Sequence, residues 1–111
     1  MKEIINTNNA PAPIGPYNQA IKAGGTLYIS GQIALSPNTN ELISGSIADE
    51  AKQVLENLGA ILKEAGYSFT DVVKTTIFLT DMVNFSTVNG VYATYFTENA
   101  PARETVAVKG L

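Results

Sequence analysis

The sequence predicts an α+β fold, a mixed β-sheet with two helices packed on one face, and three patterns carry that prediction. Gly24 and Gly25 separate two β-rich segments, 17–23 and 26–32, at the spacing of a tight hairpin. Apolar residues then recur at helical steps over 47–65. The β-branched segment 72–80 contains no breaking residue and indicates a central strand.

The other elements can be placed in order around these three. Ser46 and Asp49 form a capping-box start for the first helix, and Gly66 is a typical stop. Gly90 weakens the prediction of the second helix, because glycine is a poor helix former. The remaining elements are a strand at 2–5, a loop at 6–16, a turn at 37–40, the second helix at 85–96 and a strand at 104–108.

Two helices can cover only one face of this sheet. By period-2 alternation, the opposite face carries Tyr28, Ser30, Thr76 and Phe78. This mixture is too aromatic for water and too polar for a dry core. The sequence therefore predicts that subunits associate through this face.

Composition excludes several classes of function. The 111 residues, 45% of them hydrophobic, suit a single domain over 1–111, and the absence of Cys and His removes thiol nucleophiles and the commonest metal ligands. We expect no metal and no cofactor. A net charge of −3 with scattered lysines argues against a nucleic-acid partner. No apolar run suggests a signal peptide or membrane span, so a cytoplasmic protein is expected.

Arg103 is the only arginine of the chain and lies at the entrance to the last predicted strand. Its planar guanidinium can grip a carboxylate through two parallel hydrogen bonds, which lysine cannot reproduce. The alternative is a surface arginine paired with Glu98 or Glu104, and spacing alone favours that alternative.

Five other residues are candidates for a ligand site, each with a plainer alternative. Tyr17 follows a restrained Gly-Pro loop and either meets a ligand or anchors the loop. Ser30 and Gly31 interrupt a strand, which either exposes an N–H donor or forms an ordinary bulge. Asn89, inside a helix, either reaches a pocket or faces solvent. Thr105 shares the side of Arg103 in the strand, or is simply a good β-former.

Taken together, five motifs resemble the RidA/YjgF family in order and spacing. The motifs are Ile14-Gly15-Pro16-Tyr17, Ser30-Gly31-Gln32-Ile33, Asp71-Val72-Val73-Lys74-Thr75-Thr76, Val88-Asn89 and Pro101-Ala102-Arg103. The resemblance implies a chorismate-mutase-like fold that forms a homotrimer, with an inner barrel of sheets and clefts between subunits. The predicted uncovered sheet face agrees with such an assembly.

The resemblance also implies a reaction, the hydrolysis of 2-imino or enamine acids such as 2-aminoacrylate to 2-keto acids and ammonia. Arg103 would bind the carboxylate, and the backbones of Gly31 and Thr105 would fix the substrate. Tyr17, Ser30 and Asn89 would shape the pocket. A 2-imino acid is already electrophilic, so the site need only orient it and deliver water.

The sequence departs from the family pattern in two respects. Thr105 stands where many members have Cys, so the reaction cannot depend on a thiol at this place, and the second departure is more serious. The pattern continues beyond Leu111 into a strand carrying a glutamate that is thought to position the water, and the sequence ends before this strand. Either the sequence is truncated, or another group must activate the water. Two alternatives therefore stay open. One is a regulatory protein that binds a 2-keto acid without catalysis. The other, which the net charge disfavours, is an endoribonuclease or translation inhibitor.

Overall fold

The computed structural model describes residues 1–111 and confirms the α+β class. The elements are β1 (Lys2–Ile5), β2 (Ala20–Ala23), β3 (Thr26–Ile29), α1 (Ile47–Glu64), β4 (Lys74–Leu79), α2 (Phe85–Tyr95) and β5 (Ala102–Ala107). The hairpin strands are shorter than predicted. Strand β5 begins two residues earlier than expected, so Arg103 lies within the strand and not at its entrance.

The strands form two separate sheets instead of one continuous sheet. Strands β1, β2 and β3 form an antiparallel sheet, and β4 pairs with β5 in parallel. After β3 the backbone satisfies its hydrogen bonds locally, because the Ser30 N–H donates to the Gln19 carbonyl and the Ile43 N–H to that of Ala34. No ladder of bonds therefore joins β3 to β4.

Helix α1 holds the two sheets together. The Ser46 Oγ accepts a hydrogen bond from the Asp49 N–H at 3.1 Å, as the capping pattern predicted. The C-terminal half of α1 buries Ile61 against β1 and β2, and its middle buries Leu55 against Tyr92 of α2. Ile77 of β4 packs against the cluster of Leu55 and Tyr92, so α1 contributes to the packing on both sheets. No helix is long and apolar enough to cross a membrane.

Two buried polar side chains fix the loops beside α1. The Gln19 amide accepts from the Thr7 N–H and donates to the carbonyls of Thr7, Ala10 and Pro11. The loop at 6–16 forms no β-ladder, so hydrogen bonds to the Gln19 side chain satisfy several of its backbone N–H and carbonyl groups instead. Asn57 does the same for the segment after β3, where its Nδ2 donates to the carbonyls of Ile33 and Leu35.

The face opposite the helices mixes apolar and polar side chains, with Thr76 and the Lys74–Glu104 ion pair on the same side of the strands as Phe78. Tyr28 and Phe78 are 64% and 54% exposed, which agrees with the predicted alternation. Register places Tyr28 beside Ile21, and Phe78 beside Val106. Ser30 departs from the prediction because it lies beyond the end of β3, where it is half-buried and its Oγ donates to the Asn18 carbonyl.

Candidate functional site

Arg103 projects from β5 towards α2 and is held there by three contacts. Its Nη1 donates to the Asn89 Oδ1 at 2.7 Å. Its guanidinium carbon lies 4.9 Å from the centre of the Tyr92 ring and 5.5 Å from that of Phe85. The amide and the aromatic rings fix the orientation of the guanidinium, because a cation is attracted to the face of a ring.

The guanidinium has no carboxylate partner within the chain. Glu104 points to the opposite side of β5, where it lies 3.3 Å from the Lys74 Nζ and accepts from the Thr76 Oγ1 at 2.9 Å. The Thr76 hydrogen bond, and then Lys74, lower the pKa of Glu104. The alternative in which Arg103 pairs with Glu98 or Glu104 therefore does not hold.

Thr105 lies on the same side of β5 as Arg103, as the two-residue spacing predicts. Its side-chain hydroxyl is buried and has no hydrogen-bond partner. Buried hydroxyls without a partner are uncommon, because desolvation of a polar group costs free energy. Beside Arg103, Thr105 therefore adds a second polar group with free hydrogen-bonding capacity.

Tyr17 and Ser30 line a cleft on the antiparallel sheet. The cleft has a volume of about 370 Å³, and Lys2, Tyr28 and Ile29 also line it. The Tyr17 hydroxyl accepts from the Ile14 N–H at 3.2 Å, which ties the residue to its own loop. The side chain is still 50% exposed, so loop anchoring and a role in the cleft are both compatible with its position.

Gly31 does not interrupt a strand, contrary to the prediction. Strand β3 ends at Ile29, so Gly31 belongs to the irregular segment that follows. Its exposed N–H makes no hydrogen bond within the chain, and no atom lies within 4 Å of the position that a Cβ would take. A ligand or another backbone can therefore approach this donor closely.

The six predicted residues thus form two groups. Arg103, Asn89 and Thr105 lie between β5 and α2, whereas Tyr17, Ser30 and Gly31 lie beside the end of β3. No hydrogen bond joins the two groups, and Arg103 does not line the cleft of Tyr17 and Ser30.

Sequence reasoning missed the aromatic support of Arg103. Phe85, Asn89 and Tyr92 are spaced four and three residues apart, which places them on one face of α2. This spacing was visible in the sequence. Which strand residue meets that face was not.

Comparison with known proteins identifies the family. A family model described as Endoribonuclease L-PSP, the model of the RidA/YjgF proteins, matches residues 7–111. The chain belongs to the RidA/YjgF family. The resemblance found in the five motifs is therefore confirmed.

Individual members of the RidA/YjgF family agree with this result. The chain is 57% identical to a RutC family protein of Pyrococcus horikoshii, covering 100% of this chain and 88% of that one. It is 50% identical to the human 2-iminobutanoate/2-iminopropanoate deaminase, covering 100% of this chain and 81% of the human protein.

Solved structures of family members share the fold closely. The Rid family protein YyfA of Yersinia pestis superposes with a TM-score of 0.97 at 48% identity, covering 100% of this chain and 89% of that one. TdcF of E. coli, crystallised with bound serine, gives a TM-score of 0.92 at 42% identity, covering 98% and 87%. At these identities the arrangement of elements is shared throughout the aligned chain.

Proposed function

We propose that this RidA/YjgF protein is a deaminase that hydrolyses 2-imino acids to 2-keto acids and ammonia. The observation that carries the proposal is the oriented guanidinium of Arg103, which has no carboxylate of its own. Only one of its N–H groups is used, by Asn89. The remaining donors can take the carboxylate that every substrate of this class carries beside the imine carbon.

The reaction needs little beyond orientation and water. The protonated imine carbon is electrophilic, and water adds to it to form a C–O bond. The C–N bond then breaks, so that one imine with one water gives one 2-keto acid and one ammonium ion. Holding the carboxylate on Arg103 fixes the imine carbon for that attack.

The other candidate residues take supporting roles in this proposal. The free N–H of Gly31 and the backbone of Thr105 in β5 would fix the substrate. Tyr17, Ser30 and Asn89 shape the pocket, with Asn89 acting on Arg103 itself. None of these roles requires a cofactor or a metal ion, and we propose that the enzyme uses neither.

We infer that the active protein is a homotrimer in which each site lies between subunits. Two observations support this assembly. The group around Arg103 and the cleft of Tyr17 are separate within one chain, so a complete site needs a second copy. The strand face that no helix covers exposes Tyr28 and Phe78.

The relatives support the same reaction class. The human protein at 50% identity carries the name 2-iminobutanoate/2-iminopropanoate deaminase. TdcF of E. coli was crystallised with bound serine, an amino acid that carries a carboxylate, as 2-imino acids do.

A second function, binding of a 2-keto acid without catalysis, is favoured by one observation. The groups around Arg103 are an amide, a hydroxyl and two aromatic rings, and none of them is a carboxylate that could act as a base. Binding of 2-oxobutanoate without ammonia release from imines would identify this function.

Endoribonuclease activity, which the description of the family model names, is the third candidate. A net charge of −3 disfavours it, because RNA binding rests on neutralising phosphates. Cleavage of RNA with a steep salt dependence of binding would be needed to support it.

The central test is the replacement of Arg103. Truncating one partner of a hydrogen-bonded charge pair costs about 2–5 kcal/mol, so Arg103→Ala should lower kcat/KM by roughly thirtyfold or more. Arg103→Lys should recover little, because an ammonium keeps the charge but loses the planar fork. The assay measures keto-acid release from an imine generated by an amino-acid oxidase, with semicarbazide as competing trap.

Lys52→Ala provides the matched control for this test. It removes the same charge from the exposed side of α1, away from both groups of candidate residues, and should leave the rate unchanged. A correctly assembled Arg103→Ala protein with the wild-type rate would show that Arg103 does not bind the substrate.

A further inference from the structure

The Tyr92 ring connects the three elements that surround Arg103. It extends from α2, its hydroxyl lies 2.7 Å from the Thr75 Oγ1 of β4, and the Arg103 guanidinium of β5 lies over its face. Thr75 and Arg103 are direct partners in the β4–β5 register. The same ring therefore contacts both members of one cross-strand pair.

Packing leaves this ring little freedom. Tyr92 is only 8% exposed, and its centroid lies 4.4 Å from that of Phe96. Phe85, the second ring near Arg103, has no polar anchor and lies farther from the guanidinium. Of the two rings, Tyr92 is thus the one whose position is fixed independently of Arg103.

An arginine side chain that must receive a carboxylate benefits from such a support. Its long stem has many rotamers, and ordering them upon binding reduces affinity. Asn89 fixes only the Nη1 end of the guanidinium, which leaves rotation of the plane about that hydrogen bond. Contact with the face of a fixed ring removes this rotation.

We propose that Tyr92, anchored by Thr75, is a positioning residue that presets the plane of the Arg103 guanidinium for carboxylate binding. This proposal rests on the proposed function, in which Arg103 receives the substrate carboxylate. Because Arg103 would hold the carboxylate in both ground and transition states, loss of the support should raise KM more than it lowers kcat.

The test compares three substitutions around the ring. Tyr92→Leu removes the ring, Tyr92→Phe keeps it without the hydroxyl, and Thr75→Val removes the anchor at nearly constant volume. We expect Tyr92→Leu to raise KM for the imine, and Kd for 2-oxobutanoate measured by calorimetry, about tenfold. Tyr92→Phe and Thr75→Val should each stay within about threefold of the wild type, since the ring remains.

Phe69→Leu separates positioning from packing. Phe69 packs against the same buried cluster through the rings of Tyr95 and Phe96, and its ring pairs with neither Tyr92 nor Arg103. Its replacement should destabilise the fold yet leave the Kd for 2-oxobutanoate unchanged. In the Arg103→Ala background, Tyr92→Leu should have no further effect on Kd, because the group that it positions is already gone.

Two outcomes would overturn the positioning role while leaving the proposed function intact. One is an unchanged Kd in Tyr92→Leu, and the other is a loss of the same size with and without Arg103. If Tyr92→Leu does not assemble, Tyr92→Met, which fills more of the space of the ring with a flexible side chain, decides by the same criteria: a weakened Kd that depends on Arg103 supports positioning, and an unchanged or Arg103-independent Kd refutes it. If Arg103→Ala itself leaves Kd unchanged, the proposed function fails instead.

Discussion

Asn57 shows how a single buried residue secures the connection between the two sheets. Its side chain is 1% exposed and makes three hydrogen bonds. The Nδ2 donates to the carbonyls of Ile33 and Leu35, and the Oδ1 accepts from the Gln53 Nε2. The backbone after β3 does not form a β-ladder, so the Asn57 amide supplies the hydrogen-bond donor that its two carbonyls would otherwise lack.

Asn57→Leu should therefore be strongly destabilising. The substitution leaves the two carbonyls without their donor in a buried place, which should lower the free energy of unfolding by about 2–4 kcal/mol. Urea unfolding measures this value. Gln53→Ala, which removes only the outer hydrogen bond, should cost about 1 kcal/mol or less. Equal stability of Asn57→Leu and the wild type would contradict this role.

Tyr95 and Glu56 form another pair at the residue scale. The Tyr95 hydroxyl donates to the Glu56 Oε2 at 2.8 Å across the two helices. Burial, together with this hydrogen bond and the negative charge of Glu56, raises the pKa of Tyr95 to about 12. The phenol therefore stays protonated at neutral pH and serves as a donor between α1 and α2.

Among the elements, α2 presents one face to Arg103 and contains a glycine, a poor helix former, in its middle. Phe85, Asn89 and Tyr92 occupy the face towards Arg103, whereas Gly90 is exposed in the middle of the helix. No atom lies within 4 Å of a Cβ built on Gly90. Glycine there adds flexibility and no close packing within the chain.

Gly90→Ala should stabilise the protein. Alanine is favoured over glycine in a helix interior by about 1 kcal/mol, and the structure has room for the methyl group. Thermal unfolding should show a higher Tm. The same substitution at Gly66 should lower Tm, because this residue follows the C-cap Ala65 of α1 with φ of +83°, a conformation that alanine adopts only with strain. A lower Tm for Gly90→Ala would mean that the space beside the helix is occupied in the assembled protein.

At the scale of the whole molecule, the strand face that no helix covers is where we expect the subunits to associate. It exposes Ile4, Tyr28, Phe78 and Val106, each more than two-fifths accessible within the single chain. An apolar surface of this kind marks an association site. The proposed homotrimer buries this face and brings Arg103 of one subunit towards the cleft of another.

Phe78→Glu should dissociate the homotrimer and abolish hydrolysis together. A carboxylate at this place would have to be buried without a partner in the interface, which costs several kcal/mol. Sedimentation velocity and the keto-acid assay would be measured on the same sample. Lys52→Glu, on the exposed side of α1, should leave both unchanged. A stable, active monomer of the wild type would contradict the proposal that each site is formed by two subunits.

The sequence by itself determined the fold class and the bounds of α1, and it singled out Arg103 as the candidate for carboxylate binding. These features depend on local signals: a helical period with its caps, a β-branched run, and a single guanidinium beside a family motif. Only the tertiary structure decided that the strands form two sheets, that Glu104 faces Lys74, and that Tyr92 supports Arg103. Each of these depends on strand register and on the rotation of α2 against β5. Such relations join residues far apart in the chain, and the local periodicity of either segment leaves them undetermined.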